Sequence, residues 1–121
     1  MDDATRDLKN YAEETRPWGN FKRFTHNELS TVKIITVNAG QSISLQTHEH
    51  RDEFWYVFKG TGTIRIGDTD YEAREGSRFF CPRGNEHRVT GGPEGTTFLE
   101  IAFGDFEEGD IHRLEDLYGR K

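Results

Sequence analysis

The chain has 121 residues, 31% charged and 32% hydrophobic, with a formal net charge of −6. That length holds one compact domain with one core, and a 12% aromatic content, rich in Phe, argues against disorder. The negative charge disfavours nucleic acid and membrane surfaces as partners, and no stretch approaches the roughly 18 apolar residues of a membrane span.

The start, MDDATRDLKN, is acidic and lacks the apolar core of a signal peptide. Cys81 is the only cysteine, so no intrachain disulfide forms. A soluble, cytoplasmic protein is expected. Residues 1–15 are polar and read as a short helix or loose arm, ahead of a domain over 16–121. RPWGNF (16–21) is a Pro-Gly turn carrying two aromatics, expected to dock on the body.

Short β-like runs follow. TVKIITV (31–37) is rich in branched residues. SISLQTH (42–48) alternates, with Ile43 and Leu45 on one face and Ser42, Ser44, Gln46 and His48 on the other. EFWYVFKG (53–60) is apolar on both faces, with Trp55 and Phe58 opposed. GTIRIGDTDYEA (62–73) reads as a hairpin turning at Gly67-Asp68, and SRFFCP, EHRVT and TTFLEIAFG complete the set. Turn residues recur at intervals of roughly 8–12, as in an all-β sandwich or barrel. The tail DIHRLEDLYGRK is expected to form a helical turn, with Ile111, Leu114 and Leu117 on one side.

Chemistry concentrates in LQTHEHRDEFW (45–55). In a strand, residues i and i+2 share a face, so His48 and His50 are expected to project together, joined by Gln46. Glu53 reaches that face if the chain bends between His50 and Glu53. Two imidazoles and a carboxylate suit a divalent ion with positions left open for substrate. On this stretch alone two readings stand: a metal site, or a charged turn at a sheet edge that carries two histidines. GSRFFCPRGNEH adds a Pro-x-Gly turn that re-aims the chain just before His87, bringing a second strand's imidazole toward the first pair.

The two stretches together resemble the two cupin motifs. Gly40, His48, His50, Glu53 and Gly60 follow the order of the first, and Gly76, Pro82, Gly84 and His87 that of the second. The resemblance implies a jelly-roll β-barrel with His48, His50, Glu53 and His87 holding one divalent ion: Zn, Fe, Mn, Co or Ni. RPWG, SLQTHEHRDEFWYV, CPRGNEHR and DIHRLEDLYGR are closer still to the cupin-type, or type II, mannose-6-phosphate isomerases. Phe54 stands where that family usually has His, and Ala102 where it has Gln.

This resemblance implies isomerisation of a sugar phosphate, mannose 6-phosphate to fructose 6-phosphate. A metal-dependent dioxygenase and a non-catalytic sugar-binding or regulatory cupin are the alternatives, since fold does not fix function. A general base is then required. Glu100, in the apolar run FLEIA, is the first candidate if its face points into the barrel, and His112 the second. Arg51, beside the ligands, and Arg113, in a family-like tail, are candidates for gripping phosphate, with Gln46 toward the sugar. A sheet apolar on both sides needs cover on both, and small cupins often find it as dimers, so a homodimer is expected.

Overall fold

The computed structural model describes residues 7–104 and 112–115, with His112, Arg113 and Glu115 described by their backbone alone. Among these residues there are nine strands and no helix. The architecture hangs on two long antiparallel strands, β5 (Glu53–Ile66) and β8 (His87–Phe103). The first part of β5 pairs with the last part of β8, Phe54 opposite Ile101. The second part of β5 pairs with the first part of β8, Ile64 opposite Val89. The register shifts between these parts, at Val57/Lys59 and Gly60/Gly62, so the one sheet folds over on itself.

The remaining strands extend each half. β3 (Ser30–Val37) pairs with β8, and β7 (Arg78–Cys81) with β5. On the other half β6 (Thr69–Ala73) closes the expected hairpin at Gly67-Asp68, through the pair Ile66–Thr69. β4 (Leu45–Thr47) pairs with β8 and with β9 (His112–Glu115). The core between the halves includes Trp55, Val57, Ile64, Phe79, Val89 and Phe98. This is the all-β, single-domain cupin barrel expected.

The fold-over depends on Gly60. Its φ is 78°, and a Cβ there would run into the carbonyl oxygen of Gly95. Gly60→Ala is therefore expected to destabilise the fold by about 2 kcal/mol or more, combining left-handed backbone strain with the clash. Urea denaturation of the variant checks this, with an unchanged midpoint counting against the role given to Gly60.

Three expectations are corrected. Residues 12–15 are neither helix nor loose arm, and residues 1–6 lie outside the described residues. β1 (Ala12–Arg16) and β2 (Gly19–Arg23) form a separate two-stranded ribbon. Its turn does not dock, and Trp18 at the tip is 73% exposed. The ribbon is held at its base instead: the Phe24 ring lies 5.2 Å from Tyr56 and 6.0 Å from Phe54. The tail at 112–115 is a strand and not a helical turn, because β4 offers an edge for its backbone to pair with. Ile111 and Leu117 lie outside the described residues. The polar face of SISLQTH turns inward, as a site built on it requires: Ser44, Gln46 and His48 are all buried. One end of the barrel interior is therefore polar, which is where the candidate site lies.

Candidate metal centre

His48 follows the last residue of β4, Glu53 is the first of β5 and His87 the first of β8. The pairs Gln46–His87 and Glu53–Cys81 hold these strand ends in register. The result is a cluster in which His48, Glu53 and His87 each offer a ligand atom within 4.8 Å of the others. His48 Nε2 is 3.4 Å from Glu53 Oε2, and His87 Nε2 is 3.7 Å from Glu53 Oε1. The two imidazole rings lie 4.9 Å apart, centre to centre.

All three residues are buried, Glu53 to 2% exposure. A carboxylate so placed needs positive charge or hydrogen bonds. Oε2 finds both in Arg51, whose Nε donates to it at 2.9 Å. Oε1 has no hydrogen-bond partner. Burial pushes the His87 pKa down to about 4, an effect that the Glu53 carboxylate only partly offsets. His87 is therefore neutral at pH 7, the form a metal needs. The backbone carbonyl of Asn85 acts on the ring as acceptor, and Cys81 Sγ lies 3.3 Å from Nδ1. These contacts leave Nε2 turned toward Glu53. Two imidazoles and a carboxylate, with one carboxylate oxygen buried and unsatisfied, fit a divalent ion.

His50 does not join them. β4 ends at Thr47, so strand alternation has stopped before His48 and no longer sends His48 and His50 the same way. The His50 side chain is 74% exposed, its Nε2 3.9 Å from Glu49 Oε2. Arg51 takes the inward place, buried to 6% exposure with Nη2 3.4 Å from His48 Nε2. Its guanidinium lies on the ligand set and not at an open mouth. Gln46 is buried nearby, and its amide donates to Ser44 Oγ at 2.9 Å. Arg113 and His112 lie on β9 opposite Gln46 and Thr47, and their side chains are outside the described residues.

Glu100 lies on the interior face of β8, opposite Trp55 on one side and Lys33 on the other. Burial pushes its pKa up to about 7, reinforced by the Glu53 charge and opposed by Lys33 and Arg51. The Trp55 Nε1–H has no hydrogen bond of good geometry but lies near enough to oppose the rise slightly. Cys81 is a buried core residue, and burial pushes its thiol pKa up, so it is no nucleophile.

The sequence reading passed over Lys33 and the packing of Trp55 on His87, ring centres 5.1 Å apart. Lys33 shares the parity of Thr31, Ile35 and Val37, so its inward direction followed once the sense of β3 was known.

The Glu100 shift has a measurable consequence in the metal-free protein. Its folded pKa lies above the ordinary 4.5, so the folded state holds the proton more tightly than the unfolded one. That stabilising contribution is complete below 4.5 and is lost as pH rises through about 7. The rise from 4.5 to about 7 corresponds to about 3 kcal/mol as an upper bound, because Glu100 keeps some solvent access. Glu100→Gln should therefore gain stability over wild type between pH 4.5 and 8. Parallel denaturation curves for the two proteins across that range would contradict the buried placement.

Comparison with known proteins bears on identity. The family model described as mannose-6-phosphate isomerase C-terminal matches residues 3–116. The alginate biosynthesis protein AlgA of Pseudomonas aeruginosa is 35% identical over 116 residues, covering 94% of this chain and 24% of that protein. A mannose-1-phosphate guanylyltransferase of Klebsiella pneumoniae is 34% identical over 116 residues, covering 94% and 25%. The chain thus spans about a quarter of the length of these curated relatives. Among solved structures, the oxalate decarboxylase of Bacillus subtilis superimposes with a TM-score of 0.67 at 24% identity, covering 72% of this chain and 24% of that one. The 3'-monoepimerase ChmJ of Streptomyces bikiniensis does so with a TM-score of 0.68 at 8% identity, covering 85% and 66%. At such identities the likeness speaks to the fold alone.

Proposed function

The chain belongs to the mannose-6-phosphate isomerase C-terminal family, and from that premise we propose that it is a metal-dependent aldose–ketose isomerase converting mannose 6-phosphate to fructose 6-phosphate. The observation that carries this reading is the pairing, inside one barrel, of a buried His48–Glu53–His87 set with a second carboxylate, Glu100, whose pKa lies near 7. When bound, a divalent ion (Zn, Fe, Mn, Co or Ni) supplies polarisation of the sugar carbonyl. His48, Glu53 and His87 would hold it, with His50 as a fourth ligand.

Glu100 takes the proton from C2 of the aldose and delivers it to C1 of the ketose, while the hydroxyl proton passes from O2 to O1, so that the sugar keeps all its atoms. A base with a pKa near the working pH does both halves of that transfer well. His112 is the second candidate for this role. The apolar neighbours Trp55 and Phe98, both buried, keep water from the proton in transit. Arg113 and Arg51 bind the phosphate, and Gln46 orients a sugar hydroxyl. The protein acts in the cytoplasm, as a homodimer that covers the outer face of β3, where Val32 and Ile34 are 56% and 67% exposed.

The test is reconstitution. Metal-stripped protein is loaded with each of the five ions and given mannose 6-phosphate, glucose 6-phosphate or mannose, and ketose formation is followed. Metal-dependent turnover of mannose 6-phosphate, with little on free mannose, is expected. Retained metal without turnover of any hexose phosphate would move the protein to the non-catalytic sugar-binding class. Oxygen uptake by the iron-loaded form would move it to the dioxygenases.

A further inference from the structure

The guanidinium of Arg51 lies directly against the candidate ligand set. It contacts Glu53 Oε2 at 2.9 Å and His48 Nε2 at 3.4 Å, atoms of two residues of the candidate ligand set. It is buried with them and is the counter-charge of a carboxylate that would otherwise be buried with little positive charge near it. A divalent ion held by the same atoms would bring two like charges into contact. We propose that Arg51 and the divalent ion are alternative occupants of the Glu53 carboxylate, and that loading the metal turns Arg51 out and His50 in. This rests on the metal-centre reading above.

The chain is built to allow the exchange. The His48 carbonyl accepts from the Gly84 N–H at 2.8 Å. At the other end the Asp52 carboxylate accepts from the Arg83 N–H at 2.8 Å, and the Asp52 carbonyl from the Phe103 N–H at 3.0 Å. Between these anchors lie Glu49, His50 and Arg51, outside any strand. Rotating three residues between fixed ends reverses which of two neighbours faces inward, and leaves His48 and Glu53 where they are. The same movement brings the fourth imidazole, now 74% exposed, to the ligand set. The arginine released at the mouth is then placed to meet an anion, so cation loading and phosphate binding become positively linked.

Competition scales apparent affinity by the fraction of protein in the arginine-out state, so a ten-to-one bias toward arginine-in weakens it about tenfold. Titration with Co2+, read by absorbance and calorimetry, tests this on wild type, Arg51→Gln and His50→Ala. Arg51→Gln is expected to bind Co2+ ~10-fold more tightly than wild type, and His50→Ala more weakly. A second reading on wild type needs no variant. The Arg51 Nε–H nuclear magnetic resonance signal, protected in the metal-free protein, should shift and exchange faster with solvent when Zn2+ is added. Co2+ binding by wild type as tight as by Arg51→Gln, or an Arg51 signal unmoved by saturating Zn2+, overturns the exchange while the metal centre stands. Failure of all three proteins to bind Co2+ removes the metal centre itself, and the exchange with it.

Discussion

Glu53→Gln should cost the protein its divalent ion. The carboxylate is the only anionic ligand of the cluster, and both neighbouring imidazoles lie within 3.7 Å of it. A neutral amide offers a weaker donor and no charge, so metal affinity should fall by at least ~100-fold, beyond what loss of an outer hydrogen-bond partner costs. The loss is not confined to metal. Arg51 would be left buried against a neutral side chain, and breaking one side of such a pair costs about 3–5 kcal/mol. Metal analysis and denaturation of the one variant therefore read two effects of the same carboxylate. His87→Ala separates them: it removes a ligand but keeps the Arg51–Glu53 pair, so metal should be lost with a smaller change in stability. Wild-type metal content in both variants would move the site elsewhere.

Glu100→Gln is expected to do the converse, keeping metal and fold while losing most of the rate. Glutamine preserves the shape of a residue packed between Trp55 and Lys33 in the register and cannot accept the substrate's proton. General-base loss of this kind costs roughly 10²–10⁴-fold in kcat. In wild type the base must be ionised, so kcat/KM should rise with pH toward about 7. A bound cation nearby draws that rise to lower pH. A variant with wild-type kcat would transfer the role to another group, His112 first.

Much of this was legible in the sequence, for stated reasons. Turn spacing and alternation exposed an all-β sandwich or barrel, because strands of this length leave a period of two, and only the motif resemblance chose the barrel. The hairpin at Gly67-Asp68 was marked by turn chemistry, whereas the apolar run around Glu100 left its inward and outward faces open until the pairing of β8 was known. Legibility failed where two faces looked alike. TVKIITV carries branched residues on both faces, so sequence could not tell that Val32 and Ile34 face out while Lys33 faces in. It failed again where a strand ends: the H-x-H argument needs β4 to continue to residue 50, and it stops at Thr47. That early stop is what put Arg51, and not His50, against Glu53. Long-range pairing decided the rest, since β9 is a strand only because β4 presents an edge to it.

The central claim is proton transfer between adjacent sugar carbons beside the His48–Glu53–His87 centre. Incubating metal-loaded protein with mannose 6-phosphate in heavy water, and following the sugar by nuclear magnetic resonance, tests it most directly. The account predicts fructose 6-phosphate with deuterium entering at C1 and, on reversal, at C2 of the aldose. Both should vanish when the metal is removed and nearly vanish in Glu100→Gln. A metal-loaded wild-type protein that leaves both product and label at background would contradict it.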